Sequence, residues 1–302
     1  MKPSRSKALV GGMLAVPIIT TGIAWTMAWL WCRPKRTLPE RTPADEGLPH
    51  EPVEFASGGA TLRGWFVTPR VTPAPTIVMP HSWSLNAAQM LSVARGLHEA
   101  GYAALVYDTR GHGASEGGSF ITIRTFADDL SAAVGAAERR RDVDAGRIGV
   151  VGHSMGGAGA IVAASEDPRI RALVCSSAFA DPLELTRRNL LRYHIPRWPF
   201  LGLIRLPIER RLGTTMTEIA PRNRIGRVRA PVLLMHGEAD RFVPSSDLDA
   251  ITAAAGANVE WMLLPDRRHA DLIRDPSYLP TVIEFLDRAL GTTRQDLGPT
   301  TR

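Results

Sequence analysis

The hexapeptide GHSMGG at 152–157 sets Ser154 between glycines in the spacing G-x-S-x-G. A serine in that spacing acts as a nucleophile when it sits on a tight turn from a strand into a helix. GASEG at 113–117 gives Ser115 the same spacing, so the pattern alone does not choose between them. A hydroxyl is a poor nucleophile unless a base takes its proton and a third group orients that base. Eight histidines are available as the base. His50, His98, His112, His153 and His194 fall in a linker, a helix, a glycine-rich loop, the GHSMGG turn and an inserted segment, while His81 and His236 end strands. His269 lies in a loop after the last apolar strand, at the sheet edge where open α/β sheets carry their sites. For the orienting acid, Asp240 in MHGEADRFVP follows a strand, with Asp181 as the alternative. Glu238 and Asp266 read as solvated loop charges. The order Ser154, Asp240, His269 is nucleophile, acid, base, the order this kind of serine turn uses.

These groups meet only if the chain brings four distant segments to one edge. The apolar runs 75–81, 102–108, 147–153, 171–177, 231–237 and 259–265 read as strands, and 86–99, 122–140, 155–166 and 277–290 read as helices between and after them. VEFASGGATLRGWFVTP alternates about Gly58 and Gly59, as a β-hairpin does. Near-continuous apolar strands alternating with helices predict a mostly parallel sheet covered on both faces. In that frame Ser154 follows a strand directly and opens a helix of small residues, MGGAGAIVAAS. Ser115 sits well past its strand in RGHGASEGGS, with no helix after it, and reads as loop. Ser154 is therefore the expected nucleophile.

Composition removes other chemistries. Lysine occurs only at 2, 7 and 35, so the rest of the chain supplies no Schiff-base, P-loop or Ser-Lys lysine. Cys32 and Cys175 form no C-x-x-C pattern, there is no H-E-x-x-H, and no metal or organic cofactor is implied. Residues 1–41 hold seven basic groups against Glu40, which accounts for the whole net charge of +6. The remainder is balanced, and nucleic acid is not expected as a partner.

Residues 8–32 carry no charge, and as a helix of 25 residues they would span roughly 37 Å, enough to cross a hydrocarbon core of about 30 Å. Trp25, Trp29 and Trp31 cluster at one end, with RPKR at once beyond. The expectation is one N-terminal transmembrane helix, a membrane as partner and a single-pass location with the side undetermined; a cleaved signal peptide and secretion is the alternative. Residues 33–50 read as a linker and the tail 292–302 as disordered. Residues 181–230 interrupt the alternation with proline-broken pieces bearing eleven arginines against four carboxylates. That segment reads either as a solvated lid or as a surface for anionic lipid that admits acyl chains.

From about residue 52 to 290 the sequence resembles the α/β-hydrolase superfamily. The resemblance is carried by GHSMGG, DTRGHGASEG, APVLLMHGEADRFVP and DRRHAD. It implies an α/β-hydrolase fold with a core of 51–180 and 231–291 and a small helical cap at 181–230, which the transmembrane helix read from residues 8–32 would precede. It also implies an oxyanion hole from the backbone N–H of Met155 and of a residue after His81. The chain reads PHSWS where the family has His-Gly, and in that alignment Trp83 is the second donor. The activity implied is hydrolysis of carboxylic esters or thioesters by Ser154, His269 and Asp240 through an acyl-enzyme, on a small acyl substrate that includes amphiphilic ones. A peptidase of prolyl-oligopeptidase type and a catalytically silent tethered binding module stand as alternatives.

Overall fold

The computed structural model describes residues 5–118 and 120–292, with side chains from Pro17 onward. The expected disordered tail lies outside the described residues beyond Thr292. The chain begins with helix α1 (Arg5–Trp31) and continues into the hairpin β1 (His50–Ser57) and β2 (Ala60–Val67). Then come β3 (Ala74–Pro80), α2 (Leu91–Glu99), β4 (Ala103–Tyr107), α3 (Ile123–Glu138), β5 (Val143–His153), α4 (Met155–Ala164) and β6 (Ala172–Ser176). Helices α5 (Pro182–Arg192), α6 (Arg197–Leu212) and α7 (Pro221–Arg224) precede β7 (Val232–Gly237). Finally α8 (Ser246–Thr252), β8 (Val259–Leu264) and α9 (Tyr278–Leu290) close the domain.

The strands form one sheet in the order β1-β2-β4-β3-β5-β6-β7-β8. β2 runs antiparallel to β1 and β4, and from β4 to β8 every pairing is parallel. Every residue of β3, β4, β6 and β7 is buried, because helices cover both faces, and this is why those runs read as uninterrupted apolar stretches. One face packs under α3, α4 and α8, the other under α2 and α9. Parallel strands all end on the same side, so the loops after β3, β5, β7 and β8 meet at one edge.

The N-terminal segment departs from the sequence-based expectation. Among the described residues, no helix is long and apolar enough to cross a membrane. In the far half of α1 one stripe of small residues faces the protein, while Ile23, Trp25 and Leu30 stay exposed. Ala24 and Ala28, one turn apart, are fully buried, Cys32 follows in the same stripe, and α1 packs against α6. The transmembrane anchor, the membrane as a partner and the single-pass location are thereby overturned. An uncharged apolar run reads alike whether it meets lipid or protein, and here the stripe of small residues meets protein. Residues 33–50, expected as a linker, are tied down as well. The Arg36 guanidinium donates to the carbonyls of Gly113 (2.9 Å) and Ser115, and the Lys35 N–H donates to Ser84 Oγ at 2.9 Å.

Candidate active site

Ser154 stands alone between the end of β5 and the start of α4, with φ 54° and ψ −118°. That backbone is strained for a residue with a side chain, and it persists only where the surroundings over-determine it. Its N–H donates to the carbonyl of Ser176 on β6 at 2.8 Å. The flanking glycines answer to close backbone approach. A Cβ on Gly156 would come within 2.5 Å of the Pro80 carbonyl oxygen, and one on Gly152 within 2.8 Å of the Gly156 backbone. The spacing of the hexapeptide is thus a steric requirement of packing β5, α4 and the end of β3 together.

The turn presents Ser154 Oγ to His269, whose Nε2 lies 2.9 Å away although the two residues are 115 apart in sequence. On the other side of the ring, His269 Nδ1–H donates to Asp240 Oδ2 at 2.6 Å. Asp240 follows β7 and His269 follows β8, neighbours in the parallel sheet, which is how a 29-residue separation closes. The other carboxylate oxygen, Asp240 Oδ1, accepts from the N–H groups of Phe242 and Val243, both at 2.9 Å. Burial works to raise the pKa of Asp240, but the hydrogen bond from His269 and these two backbone donors outweigh it and hold the carboxyl below its ordinary value. The group is therefore a fixed anion, and His269 is oriented with its proton on Nδ1 and a free lone pair toward the serine.

Two further histidines surround this pair, His236 at the end of β7 and His153 at the end of β5, just before Ser154. His236 Nε2–H donates to the Val243 carbonyl at 2.9 Å and so braces the loop that carries Asp240. His153 has its ring 5.1 Å from that of His269. Burial lowers both pKa values, that of His153 to about 3, so both rings are held neutral. The only sequence signal for His236 was its place four residues before Asp240.

The rejected candidates have other partners. Asp181 caps α5, accepting from the N–H of Leu183 at 2.8 Å, and pairs with Arg222 at 2.6 Å. Ser115 is buried, donates to the Asp108 carbonyl and accepts from the Arg63 N–H at 2.8 Å. Asp108, which the sequence reading missed, holds the loops after β3 and β4 together by accepting from the N–H groups of Ala87 (2.7 Å) and Ala114 (2.8 Å). Cys175 is buried in β6, and its thiol donates to the Gly157 carbonyl at 3.3 Å.

Beside Ser154 two backbone donors remain open. Met155 is the first residue of α4, so its N–H has no acceptor within the helix. In the loop after β3 the Ser82 N–H is engaged by Gln89 Oε1 at 2.7 Å, whereas no acceptor for the Trp83 N–H is present among the described residues. His81 shapes that loop, donating from Nδ1 to the Ser82 carbonyl at 2.7 Å and accepting at Nε2 from the Thr109 N–H at 3.0 Å. A cavity of about 170 Å³ opens at Ser154, lined in part by helices α5 and α6 and by the end of α1. Leu185, Ile208 and Leu212 are part of its wall, and none of its lining residues is charged. No group of three or more His, Cys, Asp or Glu among the described residues is placed to hold a metal ion.

The chain is similar to known hydrolases. A family model described as Hydrolase_4, serine aminopeptidase S33, matches residues 72–203. The uncharacterised protein YqkD of Bacillus subtilis is 27% identical over 241 residues, covering 78% of each chain. The α/β-hydrolase domain-containing protein WAV2 of Arabidopsis thaliana is 27% identical over 269 residues, covering 84% of each. Among solved structures, the Pyrococcus furiosus esterase Pf2001 superposes with a TM-score of 0.69 at 24% identity, over 86% of this chain and 98% of that one. The fold is that of the α/β-hydrolases, and the family model that matches part of the chain is one of hydrolases.

Proposed function

We propose that this protein is a serine hydrolase that cleaves carboxylic esters or thioesters with Ser154 as nucleophile, His269 as base and Asp240 as its orienting acid. The observation that carries the reading is the hydrogen-bonded chain from Ser154 Oγ through both nitrogens of His269 to a buried carboxylate. Ser154 Oγ bonds to the acyl carbon while its proton passes to His269 Nε2, and the carbonyl π electrons move onto oxygen. That oxyanion accepts from the N–H groups of Met155 and Trp83. Collapse breaks the bond to the alkoxide or thiolate, which leaves with the proton from Nε2. Water then attacks the acyl-enzyme, again losing a proton to Nε2. A second collapse frees the carboxylic acid and returns that proton to Ser154. Asp240 remains ionised throughout and stabilises the imidazolium that forms twice.

The family description names an aminopeptidase. An exopeptidase that grips a free amino terminus needs an anionic partner for the ammonium group, and the cavity at Ser154 has no acidic side chain in its lining. An apolar acyl group suits it better. A panel of p-nitrophenyl esters, acyl thioesters and aminoacyl anilides, run beside fluorophosphonate labelling, tests the reading. Esters or thioesters should turn over, and Ser154→Ala should lose both labelling and at least about three orders of magnitude of turnover. A Ser154→Ala protein that hydrolyses esters at the wild-type rate refutes it.

A further inference from the structure

We propose that the acyl group of the substrate extends from Ser154 into the cavity closed by the end of α1, and that Trp31 and Cys32 set the acyl length the enzyme accepts. The inference rests on the serine-hydrolase reading and adds a specificity element that lies outside the hydrolase core. Trp31 and Cys32 line the same cavity as the reacting serine, together with Ile208 and Leu212 of α6. They are held there from both sides. The Ile121 N–H donates to the Cys32 carbonyl at 2.7 Å, and the Lys35 N–H donates to Ser84 Oγ in the loop that also carries Trp83. Upstream, Ala24 and Ala28 are buried where α1 packs on α6. The wall is thus a built part of the pocket, tied to the cap, to the loop after β4 and to the oxyanion loop.

Its chemistry defines the occupant. With no charge in its lining, the cavity has nothing to compensate an ion and favours an apolar chain. Burial pushes the Cys32 thiol up to about 12, so it stays protonated and behaves as a small apolar side chain. A volume of about 170 Å³ holds roughly five or six groups of the size of a water molecule, at about 30 Å³ each. Acyl chains near hexanoyl match that volume, and under this proposal longer ones press on the wall that Trp31 and Cys32 form.

The test compares kcat/KM for p-nitrophenyl acetate, hexanoate and dodecanoate on the full chain and on Cys32→Phe and Trp31→Ala. Cys32→Phe takes up part of the cavity and should lower the hexanoate-to-acetate ratio at least about tenfold, as one misplaced methylene does in an apolar pocket. Trp31→Ala should raise the dodecanoate-to-hexanoate ratio by a similar factor. General structural damage lowers all three esters together and leaves the ratios where they were. Unchanged ratios in variants that still label with a fluorophosphonate overturn the inference. Should Cys32→Phe fail to label, Trp31→Ala alone decides. Hydrolysis that persists in Ser154→Ala sinks the serine-hydrolase reading and this inference with it, whereas unchanged ratios with Ser154→Ala inactive sink the inference alone.

Discussion

Replacing Asp240 by Asn alters one atom and should reverse the role of His269. The carboxylate now makes three hydrogen bonds, two from the backbone N–H groups of Phe242 and Val243 to Oδ1 and one from His269 to Oδ2. An amide fits the site in one of two orientations. With its oxygen on the two N–H groups it keeps both of those bonds and turns its NH₂ toward His269 Nδ1. In the other orientation the NH₂ faces two N–H donors, leaving both unpaired at about 1–3 kcal/mol each. The first orientation wins. His269 must then accept at Nδ1 and carry its proton on Nε2, where it cannot receive one from Ser154. The wrong tautomer costs about four orders of magnitude in turnover, or about 5 kcal/mol of transition-state stabilisation. Stability should fall by only about 1–2 kcal/mol, since neutral hydrogen bonds replace charge-assisted ones. Measuring kcat/KM on p-nitrophenyl hexanoate together with a denaturant titration separates the two effects. A loss smaller than about tenfold refutes this account. If Asp181→Asn is dead while Asp240→Asn is near wild type, the acid stands after β6.

Two further outcomes follow from the same geometry. Ser115→Ala should leave fluorophosphonate labelling of Ser154 near wild type while costing about 1–3 kcal/mol in a urea titration, because the Arg63 N–H and the Asp108 carbonyl lose their buried partner; equal loss of hydrolysis from Ser115→Ala and Ser154→Ala would falsify the choice of nucleophile. Burial lowers the His81 pKa from 6.5 to about 4, so below about pH 6.5 the unfolded chain takes the proton first and stability declines as pH falls toward 4. His81→Gln should flatten that decline by on the order of 3 kcal/mol between pH 7 and 4, and an unchanged slope of unfolding free energy against pH in this variant refutes the assignment.

What the sequence by itself determined was local. The GHSMGG spacing is legible because the clash it avoids lies within a few residues and at the adjoining strand end, where a Cβ on Gly152 or Gly156 would strike backbone. The strands are legible because burial on two faces leaves an apolar run with no alternation. Chain order then offered Asp240 and His269 as partners for Ser154, since parallel strands deliver their trailing loops to one edge. Tertiary structure decided everything that depends on who the neighbour is. Only packing tells that Asp181 caps α5 and pairs with Arg222, that Ser115 is bonded into a buried loop, and that His153 and His236 are held neutral beside His269. The same holds for the start of the chain. The uncharged run of residues 8–32 reads as a membrane span because hydrophobicity has no direction that would name its partner. The burial of Ala24, Ala28 and Cys32, with α1 packed on α6, assigns one stripe of that surface to the protein across more than a hundred residues of intervening chain, while Ile23, Trp25 and Leu30 on its other sides stay exposed.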